Sequence, residues 1–284
     1  MVLGVLGAGI VGTGVAHSAA QAGLSVVLVD TEDAKWEQAK RSIAEVAGLQ
    51  KMLKMRPAEQ CQAAEIVSRI SYSTDIEALA QADFLVESVS ELEEVKREVL
   101  MALDKVCKPE AIFASTTSAI PITHLASFTQ RAPRFLGLHF MNPVPMKPMV
   151  EMIRAYHTTE ETLDAARDFL KQIGKKPVLV NDSPGFVSNR VLMLTVNEAI
   201  FLVQDRVASP KDIDAIFKGC FGHKMGPLET ADMIGLDTIL QSLWVLQNHF
   251  GDPKYRPCPL LAQMVDAGLL GRKSGEGFFK YGKR

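Results

Sequence analysis

The chain has 284 residues, of which 47% are hydrophobic and 23% are charged, with a formal net charge of −2. These values are typical of a globular protein with one large or two medium domains. The small net charge gives no reason to expect nucleic acid or an acidic membrane surface as a partner.

The first 30 residues predict a dinucleotide-binding unit, because they follow the order strand, glycine turn, helix, strand, acid. An apolar run at 2–6 precedes Gly7-Ala8-Gly9-Ile10-Val11-Gly12, and a helix is predicted over 13–22. A second apolar run at 26–29 ends at Asp30. The first glycine permits a tight turn, the second lets a pyrophosphate approach the backbone, and the third lets the helix pack closely on the strand.

The start of this helix is the predicted phosphate site, since unpaired N–H groups at a helix N-terminus attract anions. Gly7, Gly9, Ile10, Val11 and Gly12 are therefore the predicted cofactor-binding residues of the turn. Asp30 lies where an acid binds ribose hydroxyls, and it would repel a 2′-phosphate. We expect NAD rather than NADP. The alternative is a glycine-rich turn in an α/β fold that binds no nucleotide.

The cysteines indicate a reducing compartment. Cys61, Cys107, Cys220 and Cys258 are scattered and form no CxxC pair, which favours free thiols over a zinc site or a disulfide framework. Because a strand pattern starts at residue 2, we expect no signal peptide. The apolar helix near 191–203 contains Asn197 and Glu198, which argues against a membrane span. We expect a cytoplasmic protein without a metal.

Further along the chain, strands alternate with helices. A helical arm of two helices is predicted over 32–69, interrupted near Pro57, where proline cannot continue a running helix. The predicted strands that follow are at 70–72, 84–86, 112–114, 135–138, 149–153 and 178–180. The alternation predicts a Rossmann-type, doubly wound, mostly parallel sheet.

The character of the sequence changes near residue 183, where we place a domain boundary between 1–183 and 184–284. Helices are predicted at 186–204, 210–218, 236–249 and 259–267, which makes the C-terminal domain all-α. The first of these is apolar nearly all round, which implies burial by other helices and predicts a homodimer formed through this domain.

Polar side chains follow the predicted strands, and in open parallel sheets ligands bind at the carboxyl ends of the strands. His139 is the candidate base, with a core histidine as the alternative. Glu151 could orient its ring, or could be a surface glutamate on an edge strand. Ser118 could donate to a substrate oxygen, or cap the next helix.

Three other polar residues are less specific. Asn189 lies in the long apolar helix, where its amide needs a partner, either another helix or a ligand. Glu91 and Lys96 are predicted on the helix after Glu87, where a solvated helical face is the alternative. The other five histidines share no metal-ligand spacing.

Taken together, these segments resemble the L-3-hydroxyacyl-CoA dehydrogenase family, which includes 3-hydroxybutyryl-CoA dehydrogenases, over essentially the whole chain. The motifs that carry the resemblance are the glycine turn with Asp30 and the segments 114–118, 137–145, 182–190 and 271–278.

The resemblance implies an NAD-binding domain and a helical domain that dimerises. It implies that His139 is the catalytic base, that Glu151 is its partner, and that Ser118 and Asn189 contact the reacting oxygen and position the substrate. The residues that match the family's cofactor contacts are Glu91, Lys96, Asn142 and Lys273.

The chain departs from the family pattern in two places. Ser115-Thr116-Thr117-Ser118 stands where Ser-Asn-Thr-Ser is usual. In the arm, Val46 and Leu53 lie near positions where relatives supply a serine and a lysine to coenzyme A, with Lys51 and Lys54 close by. The carrier of the thioester therefore stays open.

The leading hypothesis is an NAD-dependent dehydrogenase of a 3-hydroxyacyl-CoA thioester in fatty acid metabolism. The same chemistry on a group held by an acyl carrier protein, in a biosynthetic pathway, is the alternative. An L-gulonate-type dehydrogenase and a non-catalytic, crystallin-like NAD-binding protein are remoter alternatives.

Overall fold

The chain folds into two compact units, Met1–Ser183 and Pro184–Arg284. The computed structural model describes residues 1–55 and 62–282. The predicted interruption of the arm at Pro57 lies outside the described residues.

The first unit is built on an eight-stranded sheet with the order β3-β2-β1-β4-β5-β6-β7-β8. Its strands are β1 Val2–Leu6, β2 Ser25–Val29, β3 Ile70–Ser73, β4 Phe84–Glu87, β5 Ile112–Ser115, β6 Phe135–Phe140, β7 Met149–Arg154 and β8 Lys176–Asn181. Six of the seven neighbouring pairs are parallel, and β6–β7 is antiparallel. The predicted Rossmann-type, mostly parallel sheet is confirmed.

Helices cover the faces of this sheet, as a parallel sheet requires because both of its faces are apolar. They are α1 Ile10–Gln21, α2 Ala34–Met52, α3 Ala63–Ser68, α4 Glu93–Val106, α5 Ile122–Ala126 and α6 Glu160–Gln172. Small residues along α1, such as Ala16, Ala19 and Ala20, are fully buried, which lets this helix lie close to the sheet. The arm consists of α2 and α3 in the described residues.

The register of the parallel strands determines which polar residues lie at the same edge of the sheet. We call the set of residues paired across the neighbouring strands at this level a row. Leu6 pairs with Val29 on one side and with Glu87 on the other. Glu87 pairs with Ser115, and Ser115 pairs with Gly137. The residues just beyond this row on parallel strands therefore share one edge of the sheet.

The second unit is helical and has its own apolar core, which includes Val196, Ile200, Leu228, Leu243 and Leu261. Its helices are α7 Ser188–Gln204, α8 Pro210–Phe221, α9 Pro227–Ile234, α10 Leu236–Phe250 and α11 Pro259–Asp266.

Two features of this unit differ from the sequence-based expectations. The helix α9 was not predicted, although Gly226-Pro227 is a typical helix start. The helix α7 is not buried on all sides within this chain, because Val191 is 61% exposed.

No helix among the described residues is both long and apolar enough to cross a membrane.

Candidate active site

The glycine turn joins β1 to α1 and leaves the N-terminus of α1 without a side-chain cap. Gly7 has a φ of +103°, and a Cβ there would lie 2.4 Å from the carbonyl oxygen of Ser88. A Cβ on Gly12 would lie 1.9 Å from the carbonyl oxygen of Gly7. Both positions therefore require glycine for the turn itself.

Gly9 differs from its two neighbours, because a Cβ there would meet no other described atom within 4 Å. The space beside Gly9, next to the backbone N–H groups of Ile10 and Val11, is open. This is the arrangement that a pyrophosphate needs, since its oxygens can reach unpaired amides at a helix N-terminus.

Asp30 lies directly after β2 and faces the glycine turn. Its Oδ2 accepts the backbone N–H of Ala8 at 2.7 Å, and its Oδ1 accepts that of Glu32 at 3.3 Å. The side chain is therefore held beside the turn and stays partly exposed. These residues fit NAD, because a carboxylate at this place accepts hydrogen bonds from ribose hydroxyls.

His139 and Glu151 form a buried pair. Nδ1 of His139 lies 2.7 Å from Oε2 of Glu151, and the side chains are only 7% and 11% exposed. The two residues are directly opposite each other in the antiparallel β6–β7 pair, so their side chains lie on the same face of the sheet. The interpretation of Glu151 as a surface glutamate is wrong.

His139 lies inside β6 and does not follow its end, which corrects the predicted strand boundary at 138. Glu151 faces Nδ1, so Nε2 is the ring nitrogen directed away from the carboxylate. Such a pair favours one tautomer of a neutral imidazole and fixes the orientation of the ring.

Ser118 lies in the loop after β5, and its backbone N–H donates to Glu91 Oε1 at 2.8 Å. It does not cap α5, because Asp182 accepts the first amides of that helix, from Ile122 and Thr123, at 2.9 and 2.7 Å. The capping interpretation of Ser118 is therefore wrong. This loop follows the row in which Ser115 pairs with Gly137, two residues before His139.

Glu91 and Lys96 form part of the same region. Glu91 precedes α4, which corrects its predicted place on the helix, while Lys96 lies in the helix. Lys96 is 1% exposed and its Nζ lies 2.8 Å from Glu87 Oε1 and 3.5 Å from Glu91 Oε2. A solvated helical face is therefore the wrong interpretation for Lys96.

The remaining predicted site residues are more exposed or belong to the second unit. Asn142 is exposed in the turn that follows β6. Asn189 is half-buried in the first turn of α7. Lys273 is exposed in a 3₁₀ turn and forms an ion pair with Asp237, with Nζ 2.7 Å from Oδ2.

Sequence reasoning missed Asp232, which organises the segment around Lys273. This carboxylate is fully buried and accepts the backbone N–H groups of Phe278 and Phe279 and the hydroxyl of Tyr281. Its burial raises the pKa of the Asp232 carboxyl above the ordinary value. A Cβ on Gly277 would lie 2.1 Å from Asp232 Oδ1, so the glycine makes room for this contact. No sequence pattern indicated the role of Asp232, because the helix that contains it, α9, was not predicted.

The first unit thus combines a dinucleotide-type glycine turn and its acid with an oriented imidazole on the same sheet. The fold and the site define the class of protein, which is an oxidoreductase that uses NAD.

Comparison with known families gives the particular family. The model described as "3-hydroxyacyl-CoA dehydrogenase, NAD binding domain" matches residues 2–183, and "3-hydroxyacyl-CoA dehydrogenase, C-terminal domain" matches residues 185–281. The chain belongs to the 3-hydroxyacyl-CoA dehydrogenase family. The resemblance, the fold class and the NAD cofactor expected from the sequence are confirmed.

Individual relatives agree with this result. The chain is 46% identical over 282 residues to a "Probable 3-hydroxybutyryl-CoA dehydrogenase" of Deinococcus radiodurans. That alignment covers 99% of this chain and 100% of the relative. It is 44% identical over 280 residues to the 3-hydroxybutyryl-CoA dehydrogenase of Bradyrhizobium diazoefficiens, with 98% of this chain and 94% of the relative covered. The crystal structure of (S)-3-hydroxybutyryl-CoA dehydrogenase PaaH1 from Ralstonia eutropha superposes with a TM-score of 0.92 at 41% identity, covering 99% of both chains.

Proposed function

We propose that this protein interconverts a 3-hydroxyacyl-CoA thioester and the 3-oxoacyl-CoA thioester with NAD, and that a short chain such as 3-hydroxybutyryl is accepted. The observation that carries the proposal is the 2.7 Å contact between His139 Nδ1 and Glu151 Oε2 on the sheet that bears the glycine turn. The names of relatives at 44–46% identity support the substrate class.

In this proposal His139 acts as general base in oxidation and as general acid in reduction. Nε2 takes the proton of the substrate hydroxyl, and the Glu151 carboxylate stabilises the imidazolium that forms. NAD, when bound, supplies the acceptor for the hydride. Ser118 and Asn189 are proposed to bind the substrate oxygens.

The cofactor is proposed to bind through two sets of residues. Gly7, Gly9, Gly12 and the N-terminus of α1 hold the pyrophosphate, and Asp30 holds a ribose. Glu91, Lys96, Asn142 and Lys273 are the further proposed contacts on the cofactor side. Accordingly, residues 1–183 are assigned to the cofactor and 184–284 to substrate binding and dimerisation.

The test is a steady-state assay of acetoacetyl-CoA reduction, followed by the loss of NADH absorbance. We expect turnover that saturates in both substrates and that depends on His139. No turnover with any CoA thioester would overturn the substrate assignment.

A second candidate is the same reaction on a group bound to an acyl carrier protein. It is favoured by the arm, where Val46 and Leu53 stand near the positions at which the family resemblance implies a serine and a lysine for coenzyme A, and where Leu53 is 51% exposed. Matched assays with acetoacetyl-CoA and an acetoacetyl group on a carrier protein separate the two. A preference for the carrier protein in kcat/KM would favour the second candidate.

We also propose a homodimer formed through the second unit. Apolar side chains stay exposed on α7 and α8, among them Val191, Ile216 and Phe221, at 61%, 52% and 65%. Light scattering of the purified protein tests this, and a monomer at micromolar concentration would contradict it. The cytoplasmic location stays a prediction from the cysteine pattern.

A further inference from the structure

Glu87, the last residue of β4, carries a buried carboxylate that has no role in the proposed reaction. Its side chain is fully buried, and both of its oxygens are used. Oε1 accepts the ammonium of Lys96 and the backbone N–H of Val89, both at 2.8 Å. Oε2 accepts the hydroxyl of Ser115 at 2.5 Å. A buried carboxylate is costly unless it is paired in this way, so the position has been built for a charge.

One route leads from Glu87 to the loop that carries Ser118. The ammonium of Lys96 lies between Glu87 and Glu91, 3.5 Å from Glu91 Oε2. The other oxygen of Glu91 accepts the Thr117 hydroxyl at 2.5 Å and the backbone N–H groups of Ser118 and Ala119 at 2.8 and 3.3 Å. The lysine thus fixes the carboxylate that holds the backbone of the loop.

A second route reaches the same loop through the neighbouring strand. The Ser115 hydroxyl, which donates to Glu87, accepts the backbone N–H of Thr117 at 3.3 Å. Two routes therefore start at one carboxylate. One passes through the Lys96–Glu91 ion pair and the other through the Ser115 hydroxyl, and both reach the segment 117–119.

Glu87 also holds the segment Ser88-Val89, which lies against the glycine turn and which we call its wall. The amide that it accepts belongs to Val89, and the preceding Ser88 presents its carbonyl oxygen 2.4 Å from where a Cβ on Gly7 would lie. A shift of this segment would change the space available to the turn. Glu87 therefore connects the turn that fits the cofactor to the loop of Ser118.

Stability alone does not account for such a pair. The desolvation of two buried charges offsets most of their attraction, and well-packed apolar residues are often at least as stable. Precise positioning of neighbouring groups is the better explanation for the Glu87–Lys96 pair. Its further polar contacts, to Val89, Glu91 and Ser115, lead to the segment beside the glycine turn and to the Ser118 loop.

We propose that Glu87 is a positioning residue, which fixes the Ser118 loop against the wall of the glycine turn and so sets the place of the substrate oxygen relative to the nicotinamide. The expected effect of Glu87 on kcat rests on the proposed function. The expected effect on the order of the Ser118 loop is independent of that function, because it follows from the polar contacts of Glu87.

The test compares Glu87→Gln with a matched control, Asp104→Asn. Asp104 pairs with Arg131 at 2.6 Å, with side chains 13% and 7% exposed. The other side-chain hydrogen bonds of this pair among the described residues join it to Gln130, Lys108, Ala111 and Cys107, away from the glycine turn and the Ser118 loop. Each variant removes one carboxylate from a mostly buried ion pair. The control therefore reports what loss of such a pair does to the fold.

The first readout is hydrogen exchange of the full-length protein at the amides of Ser118 and Ala119. We expect Glu87→Gln to speed their exchange by about tenfold or more, while Asp104→Asn leaves it unchanged. A milder variant, Ser115→Ala, keeps the buried charge pair and should speed exchange chiefly at Thr117. Unchanged exchange in both site variants would overturn the proposal.

The second readout separates positioning from stability. With saturating NADH and acetoacetyl-CoA, we expect Glu87→Gln to lower kcat by about 10- to 100-fold and to change KM by less than about threefold. The control Asp104→Asn should lower Tm by a similar amount and leave kcat nearly unchanged, because Asp104 pairs with Arg131 and not with the site. An equal loss of kcat in the two variants would show a purely structural role for Glu87.

Failure of the two proposals can be distinguished. If the unaltered protein reduces no acyl thioester, the proposed function fails, and the exchange measurement still decides the role of Glu87. If the unaltered protein is active and the exchange of the loop does not respond, only the positioning role is lost.

Discussion

His139 and Glu151 are direct neighbours across the one antiparallel pair of the sheet, and Nδ1 of the imidazole lies 2.7 Å from Oε2 of the carboxylate. They are 12 positions apart along the chain. Because opposite residues in an antiparallel pair point to the same face, the reversal of direction between β6 and β7 places both side chains together. A shift of one residue in this register would move Glu151 to the other face.

Loss of either member of this pair should abolish most of the chemistry and leave the cofactor site intact. We expect His139→Ala and Glu151→Ala to lower kcat by about 10²- to 10⁴-fold, since each removes or disorients the acid–base group. The Kd of NADH, measured by fluorescence titration, should stay within about threefold, because neither residue belongs to the glycine turn. Full activity in His139→Ala would contradict the assignment.

Asp30 should determine the preference for NAD. Replacing it by serine removes the charge that accepts ribose hydroxyls and repels a 2′-phosphate, so we expect the KM for NADH to rise by about 10- to 100-fold, as for a lost hydrogen bond to a charged group. The KM for NADPH should fall at the same time. The comparison of kcat/KM for the two cofactors tests this, and an unchanged ratio would contradict the role of Asp30.

Gly9 and Gly12 should respond differently to the same change. Gly12→Ala places a Cβ against the Gly7 carbonyl, so the turn must shift and Tm should fall by an amount equivalent to about 1–3 kcal/mol. Gly9→Ala meets no described atom, so Tm should hardly change. It should nevertheless raise the Kd of NADH by about tenfold or more, because the methyl group occupies space that a pyrophosphate would need. Normal NADH binding in Gly9→Ala would contradict the proposed phosphate site.

Cys107 and Cys220 should differ in reactivity and in its pH dependence. Burial raises the pKa of the Cys107 thiol to about 11, whereas Cys220 is exposed. The thiolate is the reactive form, so at pH 8 only about one in a thousand Cys107 thiols is able to react, and the rate should rise as the pH approaches 11. Alkylation with iodoacetamide followed by mass spectrometry tests this, with denatured protein as the control. Equal labelling of both thiols at pH 8 in the folded protein would contradict it.

Local sequence patterns are sufficient for the order of elements in the first unit. The run from β1 to Asp30 shows the dinucleotide-type turn because each part depends on neighbouring residues: apolar runs, glycines that the turn requires, and an acid after the second strand. Small errors concern the ends of strands, such as His139, which was predicted to follow β6 but lies inside it. A polar residue can continue a strand when hydrogen bonds to the neighbouring strands hold the backbone in place.

The network around Glu87 shows the limit of this reasoning. The sequence has Glu87 after an apolar run and Lys96 among charged residues, so a solvated helical face was a reasonable alternative. Only the packed structure shows that the lysine is buried between the carboxylate at the end of β4 and that of Glu91 in the loop that follows. The energy of such a pair depends on burial and on further partners such as Ser115, which lies 28 positions from Glu87, and these are not visible in a local pattern.

The sequence by itself determined the dinucleotide turn, the acid that goes with NAD, the alternation of strands and helices, and the family. The tertiary structure alone decided that β7 runs antiparallel to β6, that Lys96 is buried between two carboxylates, and how the Ser118 loop is held. The physical reason is the range of the interactions. Turns and helices follow from the preferences of adjacent residues, whereas register and buried charge pairs are set by contacts between segments far apart in the chain.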